Sequence, residues 1–290
     1  MIELHTGDCL TWVKEIPDNS IALLFTSPPY LSARSYGRTD VARDLDEWVA
    51  WMMDVVKAFA PKVTGLMAIN CEGQTRGYKY QPAPFLLMAD LHRAGFNLRK
   101  PCVYERDGVP GSGQLDWLKN RWEPIICITR PGRLPWSDAT ACGHPPKCQA
   151  GGRVSHRNTD GTRQRFGVAT RTRSGDGERE IPIDRARGRA VPEIANPGNV
   201  IDCGANTHFG LGNQSEAPFP MKLADFFVKS FCQPGGLVCD PFCGSGTVCE
   251  SAITHGRRFV GGDIRPCQIS LTRRRMLGVT PQMQPAEETL

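Results

Sequence analysis

Short, solid apolar runs punctuate the first half of the chain: Ile21-Ala22-Leu23-Leu24-Phe25, then Val63 to Asn70, Leu98 to Tyr104 and Pro124 to Thr129. Runs of this length, bounded by turn residues, read as strands buried on both faces. Between them the apolar positions fall at helical spacing. Leu45, Trp48, Val49, Met52, Val55, Val56 and Phe59 form one stripe, from 44 to 60. A second helix is predicted from Pro82 to Ala94, with Pro at its start and Gly95 at its C-terminal side. At the start, Ile2-Glu3-Leu4-His5 predicts a short strand ending at Thr6-Gly7-Asp8. Leu10, Val13 and Ile16 then make a short helical stripe, stopped by Pro17-Asp18-Asn19. Order returns at Asn199-Val200-Ile201, followed by a helix at Met221–Phe231 and a strand at Gly236–Cys239. A helix to about His255, a strand over Arg258–Gly262 ending at Asp263, and a last helix at Pro266–Met276 complete the pattern. Strands alternating with helices predict a mostly parallel α/β sheet.

Residues 131–200 break this rhythm. They have little apolar periodicity and many Gly, Pro, Thr and Arg. The chain therefore divides into 1–130, the insertion 131–200, 201–280 and a polar tail over 281–290 that is expected to fray. The whole chain of 290 residues carries a net charge of +5. Between Gly151 and Ala190 there are ten Arg, no Lys and five acids, and 10 − 5 = +5 equals that total. The charge is clustered, as a nucleic-acid contact requires. Arginine without lysine favours bidentate reading of phosphate and guanine edges, with Arg153, Arg157, Arg163, Arg165, Arg171 and Arg173 as candidates. A solvated loop is the plainer alternative.

Composition excludes little else. Hydrophobic content is 40%, and no apolar run approaches the roughly 20 residues of a membrane span. The chain enters Met1-Ile2-Glu3-Leu4-His5 with no basic and apolar leader, so no signal peptide is expected. Twelve cysteines are scattered without a Cys-x-x-Cys pair, and Cys127, Cys232 and Cys239 lie in apolar runs. They read as reduced thiols of a cytoplasmic protein.

Two stretches carry chemistry. Thr26-Ser27-Pro28-Pro29-Tyr30 follows the run Ile21–Phe25. Two prolines remove two N–H groups and hold the residues before them extended, giving a stiff loop at the carboxyl end of a strand. Open α/β sheets bind ligands at that edge. A planar base with an amino group suits it: Tyr30 offers a stacking face, and Ser27 and the Pro28 carbonyl offer acceptors. A rigid turn is the alternative. The second stretch is Asp240-Pro241-Phe242-Cys243-Gly244-Ser245-Gly246-Thr247, a glycine turn between strand and helix, followed sixteen residues later by Asp263 at a strand end. It matches neither the dinucleotide G-x-G-x-x-G nor the P-loop. Glycine turn, helix, strand and terminal acid in order describe a nucleoside-containing cofactor laid across a switch point.

Together the two stretches resemble the S-adenosylmethionine-dependent DNA amino-methyltransferases, the cytosine-N4 and adenine-N6 family. Supporting matches are His5-Thr6-Gly7-Asp8-Cys9, Pro17-Asp18-Asn19-Ser20, Glu216-Ala217-Pro218-Phe219-Pro220 and Leu223-Ala224. The motif order is similar to the beta group, in which a Rossmann-like sheet is circularly permuted. The resemblance implies a catalytic half over 1–130, a loop-rich target-recognition region over 131–200 and a cofactor half over 201–280. Permutation would lay the first strand beside that of Arg258–Gly262, bringing Asp8 to the cofactor adenine.

The resemblance also implies roles. Asp240, Pro241, Phe242, Gly244, Ser245, Gly246 and Thr247, with Thr26, would hold the methionine part and ribose of S-adenosyl-L-methionine. Asp263 would bond the ribose hydroxyls, Asp8 and Cys9 the adenine, and Phe219 and Pro220 would close over the cofactor. Ser27, Pro28, Pro29 and Tyr30 would clamp a base flipped from duplex DNA for direct in-line transfer, without a metal. Serine in first place goes with cytosine N4 in the family, aspartate with adenine N6; cytosine is the expectation and adenine the alternative. A non-catalytic DNA-binding protein and an RNA or protein amino-methyltransferase are more remote. A cognate restriction endonuclease and a homodimer are the further partners that the family suggests.

Two decoys are set aside. Pro266-Cys267-Gln268 looks like the nucleophile motif of cytosine-carbon methyltransferases, but only 22 residues follow Gln268. Cys142, His144 and Cys148 lack an obvious fourth zinc ligand at standard spacing.

Overall fold

The computed structural model describes residues 1–31, 44–106, 116–146, 192–204 and 220–279. They divide into two compact units, Met1–Cys142 with Gly198–Leu290, and Gly143–Pro197. In the second, His144 and Ala195 form an antiparallel bridge.

The first unit is built on a nine-stranded sheet. Its strands are β1 (Ile2–Thr6), β2 (Ile21–Thr26), β3 (Val63–Asn70), β6 (Asn97–Leu98), β7 (Cys102–Glu105), β8 (Trp122–Thr129), β9 (Val200–Asp202), β10 (Leu237–Asp240) and β11 (Arg258–Asp263). A separate hairpin pairs β4 (Gln74–Arg76) with β5 (Lys79–Gln81). The order is β1-β11-β10-β2-β3-β8-β7-β9, with β6 also on β8. From β1 to β3 all pairings are parallel; β8 runs antiparallel to β3, β6 and β7. The N-terminal strand lies beside β11, with Thr6 opposite Asp263, as circular permutation requires.

The solid apolar runs become central strands because both faces are covered. Ile21 and Leu24 of β2, Met67 of β3 and Ile126 of β8 face a layer containing α2 (Leu45–Phe59) and α3 (Ala83–Arg93). Leu23 and Phe25, Ala68 and Ile125 face the other layer, with α4 (Met221–Phe231) and α5 (Thr247–Thr254). Phe25 stacks on Phe227 of α4 at 4.3 Å. Asp44 opens α2 with a reciprocal capping box to Glu47. A short helix α1 (Cys9–Trp12), continued by a 3-10 turn, and the C-terminal α6 (Pro266–Met276) complete the unit.

One expectation changes, and one element was not expected. The run Leu98–Tyr104 is not one strand: it breaks between β6 and β7, where Pro101 supplies no N–H to a ladder. The β4–β5 hairpin had no apolar signature.

Candidate functional site

β2 connects to β3 in one direction across the sheet, and β10 to β11 in the other. The switch point therefore falls between β2 and β10, where ligands bind at the carboxyl edge of such sheets. Both chemistry-bearing stretches begin there. Thr26 closes β2 and Asp240 closes β10, and Thr26 Oγ1 donates to Asp240 Oδ1 at 2.5 Å.

On the β10 side, Asp240 Oδ1 also accepts from the Phe242 amide at 3.1 Å. Asp240 is buried, and its carboxyl rises to about 7, chiefly through desolvation, with Asp263 adding to it. Gly244 and Gly246 hold φ of 50° and 85°, conformations that a glycine takes without strain. The turn is latched from α6: Thr272 Oγ1 donates to the Gly244 carbonyl at 2.9 Å. Arg275 Nη1 donates to Thr247 Oγ1 at 3.1 Å, and its Nε bonds Glu250. Pro241, Ser245 and Thr247 are buried, while Phe242 is half-buried with its ring 5.4 Å from that of Trp51. Asp263 ends β11 and accepts from the Arg265 amide at 2.9 Å and its Nε at 3.1 Å. Asp8, two residues past β1, caps α1 by accepting from the Leu10 amide at 2.9 Å. The Cys9 thiol packs in the core, and burial pushes it up to about 12, so only its backbone is left at the edge. Pro220 is buried at the start of α4. Phe219 and all six named arginines, Arg153 to Arg173, lie outside the described residues.

On the β3 side, the Ser27–Tyr30 loop is pinned twice. Trp48 Nε1 of α2 donates to the Pro29 carbonyl at 2.8 Å. The Tyr30 hydroxyl donates to Glu123 Oε2 at 2.6 Å and accepts from Asn70 Nδ2 at 2.8 Å, with Ser27 Oγ 3.3 Å away. Asn70 Nδ2 also reaches Glu123 Oε2 at 2.7 Å. Arg106 Nη2 pairs with the other Glu123 oxygen at 2.9 Å. Burial and the Glu123 charge hold the Tyr30 phenol well above its usual value. Because β8 is antiparallel, its first residues come to the carboxyl edge of β3, and this is how Glu123 arrives.

Sequence reasoning missed Asn70, Arg106, Glu123 and the pinning role of Trp48. A signal for one of them was present: Glu123 is a lone acid at the head of an otherwise apolar run, and an acid buried there needs partners.

Comparison with known proteins shows the family and the fold. The sequence profile of a family described as DNA methylase matches residues 21–274, and the chain belongs to that family. The DNA adenine methyltransferase YhdJ of Escherichia coli K12 is 24% identical over 280 residues, covering 93% of this chain and 81% of its own. The solved structure of PvuII DNA methyltransferase, cytosine-N4-specific, superposes with a TM-score of 0.67 at 17% identity, covering 98% of this chain and 88% of that one. A candidate DNA modification methylase from Thermus thermophilus, solved with S-adenosyl-L-methionine, gives 0.60 at 21% identity, covering 95% and 93%. At these identities the two structures show the fold. Among the described residues, no helix is long and apolar enough to cross a membrane.

Proposed function

We propose that this DNA methylase transfers the methyl group of S-adenosyl-L-methionine to the exocyclic N4 of a cytosine flipped out of duplex DNA. The observation that carries the reading is the Thr26–Asp240 hydrogen bond, which joins the Ser27–Tyr30 loop to the Asp240–Thr247 turn across the switch point. The donor set fits the cofactor. Asp240 and Asp263 end the neighbouring strands β10 and β11, and Asp8 lies two residues past the adjoining β1, a set suited to a cationic amino acid and a ribose diol. Bound there, the cofactor supplies an electrophilic methyl on a sulfonium sulfur.

The chain's own residues do the rest. Ser27 Oγ and the Pro28 carbonyl accept the amino hydrogens and aim the nitrogen lone pair. The Asn70 side-chain oxygen, buried and without a hydrogen-bond partner among the described residues, is a further acceptor. The Tyr30 ring, tied by its hydroxyl to Glu123 and Asn70, is a preset stacking face, so rate comes mainly from positioning. The arginine block of 151–190 contacts the duplex within a recognition region over 131–200. The reading includes a cytoplasmic site of action, a cognate restriction endonuclease and a homodimer as partners, with gel filtration as the check on the last. Adenine N6 is the second reading, favoured by the YhdJ likeness. Expression in a methylation-free host, followed by nucleoside mass spectrometry of the DNA, tests both. N4-methylcytosine is expected; N6-methyladenine alone would replace the first reading by the second, and unmodified DNA would remove both.

A further inference from the structure

Beyond Asn70 the chain does something the fold does not need. The β4–β5 hairpin pairs Gln74 with Gln81, Thr75 with Tyr80 and Arg76 with Lys79, leaving Gly77 and Tyr78 as a two-residue turn. Both are left-handed, with φ of 51° and 63°, the conformation that lets a tight hairpin keep its twist. Glycine takes it freely; a bulky side chain is strained there. Tyr78 recovers little by packing against the described residues, since it is 78% exposed. Arg76 and Lys79 flank it, and the segment Gln74–Gln81 contains no acid. A strained, exposed aromatic between two cations has no structural reason to be there, and such outliers mark function.

The hairpin is also held in place relative to the site. Glu72 Oε1 accepts from the Gly73 amide at 2.7 Å and the Tyr80 hydroxyl at 3.1 Å. Its other oxygen accepts from Asn120 Nδ2 at 3.1 Å, in the segment leading to Glu123. One carboxylate, two residues past Asn70, thus fastens the hairpin to the strand ends that hold Tyr30. Three-residue arms span about 10 Å, a few base steps of a nucleic-acid strand.

We propose that the β4–β5 hairpin is a second DNA-contact element, beside the target-base pocket. Arg76 and Lys79 contact phosphates flanking the extruded nucleotide, and the Tyr78 ring lies on an exposed base face. The inference rests on the reading that Ser27–Tyr30 receives a base from duplex DNA. It adds a contact on the sheet-bearing unit, apart in sequence from the arginine block. Cations without acids select phosphate, and an aromatic face selects bases of any sequence. The element therefore contributes affinity near the flipped base and little sequence recognition.

The test is duplex binding by the full-length chain, followed by fluorescence anisotropy over a salt series, for wild type, Tyr78→Gly and the pair Arg76→Ala with Lys79→Ala. Loss of two phosphate contacts should lower the slope of log K against log salt by about 1.8. Tyr78→Gly should raise Kd about tenfold. Its melting temperature should hold or rise, because glycine relieves the strained turn. Cofactor affinity should not change in either variant. Unchanged slope and Kd in both variants overturn the proposal while leaving the methylase reading intact. A fall in melting temperature that accounts for the weaker binding of Tyr78→Gly assigns the residue to structure and also overturns it. Failure of the wild-type chain to bind duplex DNA at all would remove the parent reading, and this one with it.

Discussion

Asp240→Asn isolates the energetics of the switch point. Asp240 is 2% exposed, and burial lifts its carboxyl from 3.8 to about 7 despite bonds from Thr26 and the Phe242 amide that pull the other way. A native pKa above the unfolded one means that the folded chain holds a proton the unfolded chain has lost. The stabilisation is therefore fully present below pH 4 and is lost as pH rises through 7. A shift of about three units corresponds to about 4 kcal/mol over the whole interval, and about 2–3 kcal/mol of it falls between pH 5 and pH 8. Asparagine keeps the shape and an acceptor oxygen for both donors but cannot ionise. In the cofactor-free protein, the unfolding free energy of the variant relative to wild type should climb by about 2–3 kcal/mol from pH 5 to pH 8. Urea denaturation at four pH values measures it, and taking the difference cancels the other titrating groups. A difference constant to within about 0.5 kcal/mol would refute the reasoning, since it would mean that Asp240 titrates alike in both states.

Three further perturbations test neighbouring parts. Glu123→Ala leaves the Arg106 guanidinium without its carboxylate and should cost about 3–5 kcal/mol in urea melts. The double change with Arg106→Ala should cost less than the sum of the single ones, and additivity would mean that the pair is not coupled. Gly246→Ala combines a φ of 85° with a Cβ placed 2.7 Å from Thr272 Cγ2, and should destabilise by about 2–4 kcal/mol while weakening cofactor binding in calorimetry. Trp48→Phe removes the donor to the Pro29 carbonyl at about 1–2 kcal/mol and should slow methyl transfer several-fold at unchanged cofactor Kd; an equal loss in cofactor affinity would show that the loop is not what Trp48 pins.

How much of this could be read beforehand follows from burial. β2, β3 and β8 are covered on both faces, so their sequences are solid apolar runs and betray them. The permuted order was legible because Ser27–Tyr30 precedes Asp240–Thr247, and the β1–β11 pairing bears it out. The β4–β5 hairpin was invisible because Arg76, Tyr78 and Lys79 face solvent and leave no alternation. Tyr30 was legible as an aromatic face but not as a fastened one. Its partners Asn70 and Glu123 come from strands 40 and 93 residues away, and only the antiparallel insertion of β8 brings the second to the edge.

The carboxyl edge is divided by charge at one bond. On the β10, β11 and β1 side stand Asp240, Asp263 and Asp8, a field that attracts a cation. On the β2, β3 and β8 side Glu123, the one buried carboxylate there among the described residues, is matched by Arg106 and bonded to Tyr30 and Asn70, so that a neutral base held as proposed would meet acceptors rather than net charge. Thr26 leads into the Ser27–Tyr30 loop proposed to hold the base and donates to Asp240, proposed to face the cofactor. Any cation settling beside Asp240 favours its ionised form, and a hydrogen bond to a charged acceptor is stronger than to a neutral one by about 1 kcal/mol. Cofactor binding should therefore tighten the Thr26 bond and, through it, the register of Ser27 against the incoming amino group. In Thr26→Val, which keeps the shape of the buried side chain without the hydroxyl, binding of the cofactor should no longer sharpen DNA binding. If cofactor still increases duplex affinity in that variant as in wild type, the two halves of the edge communicate by another route.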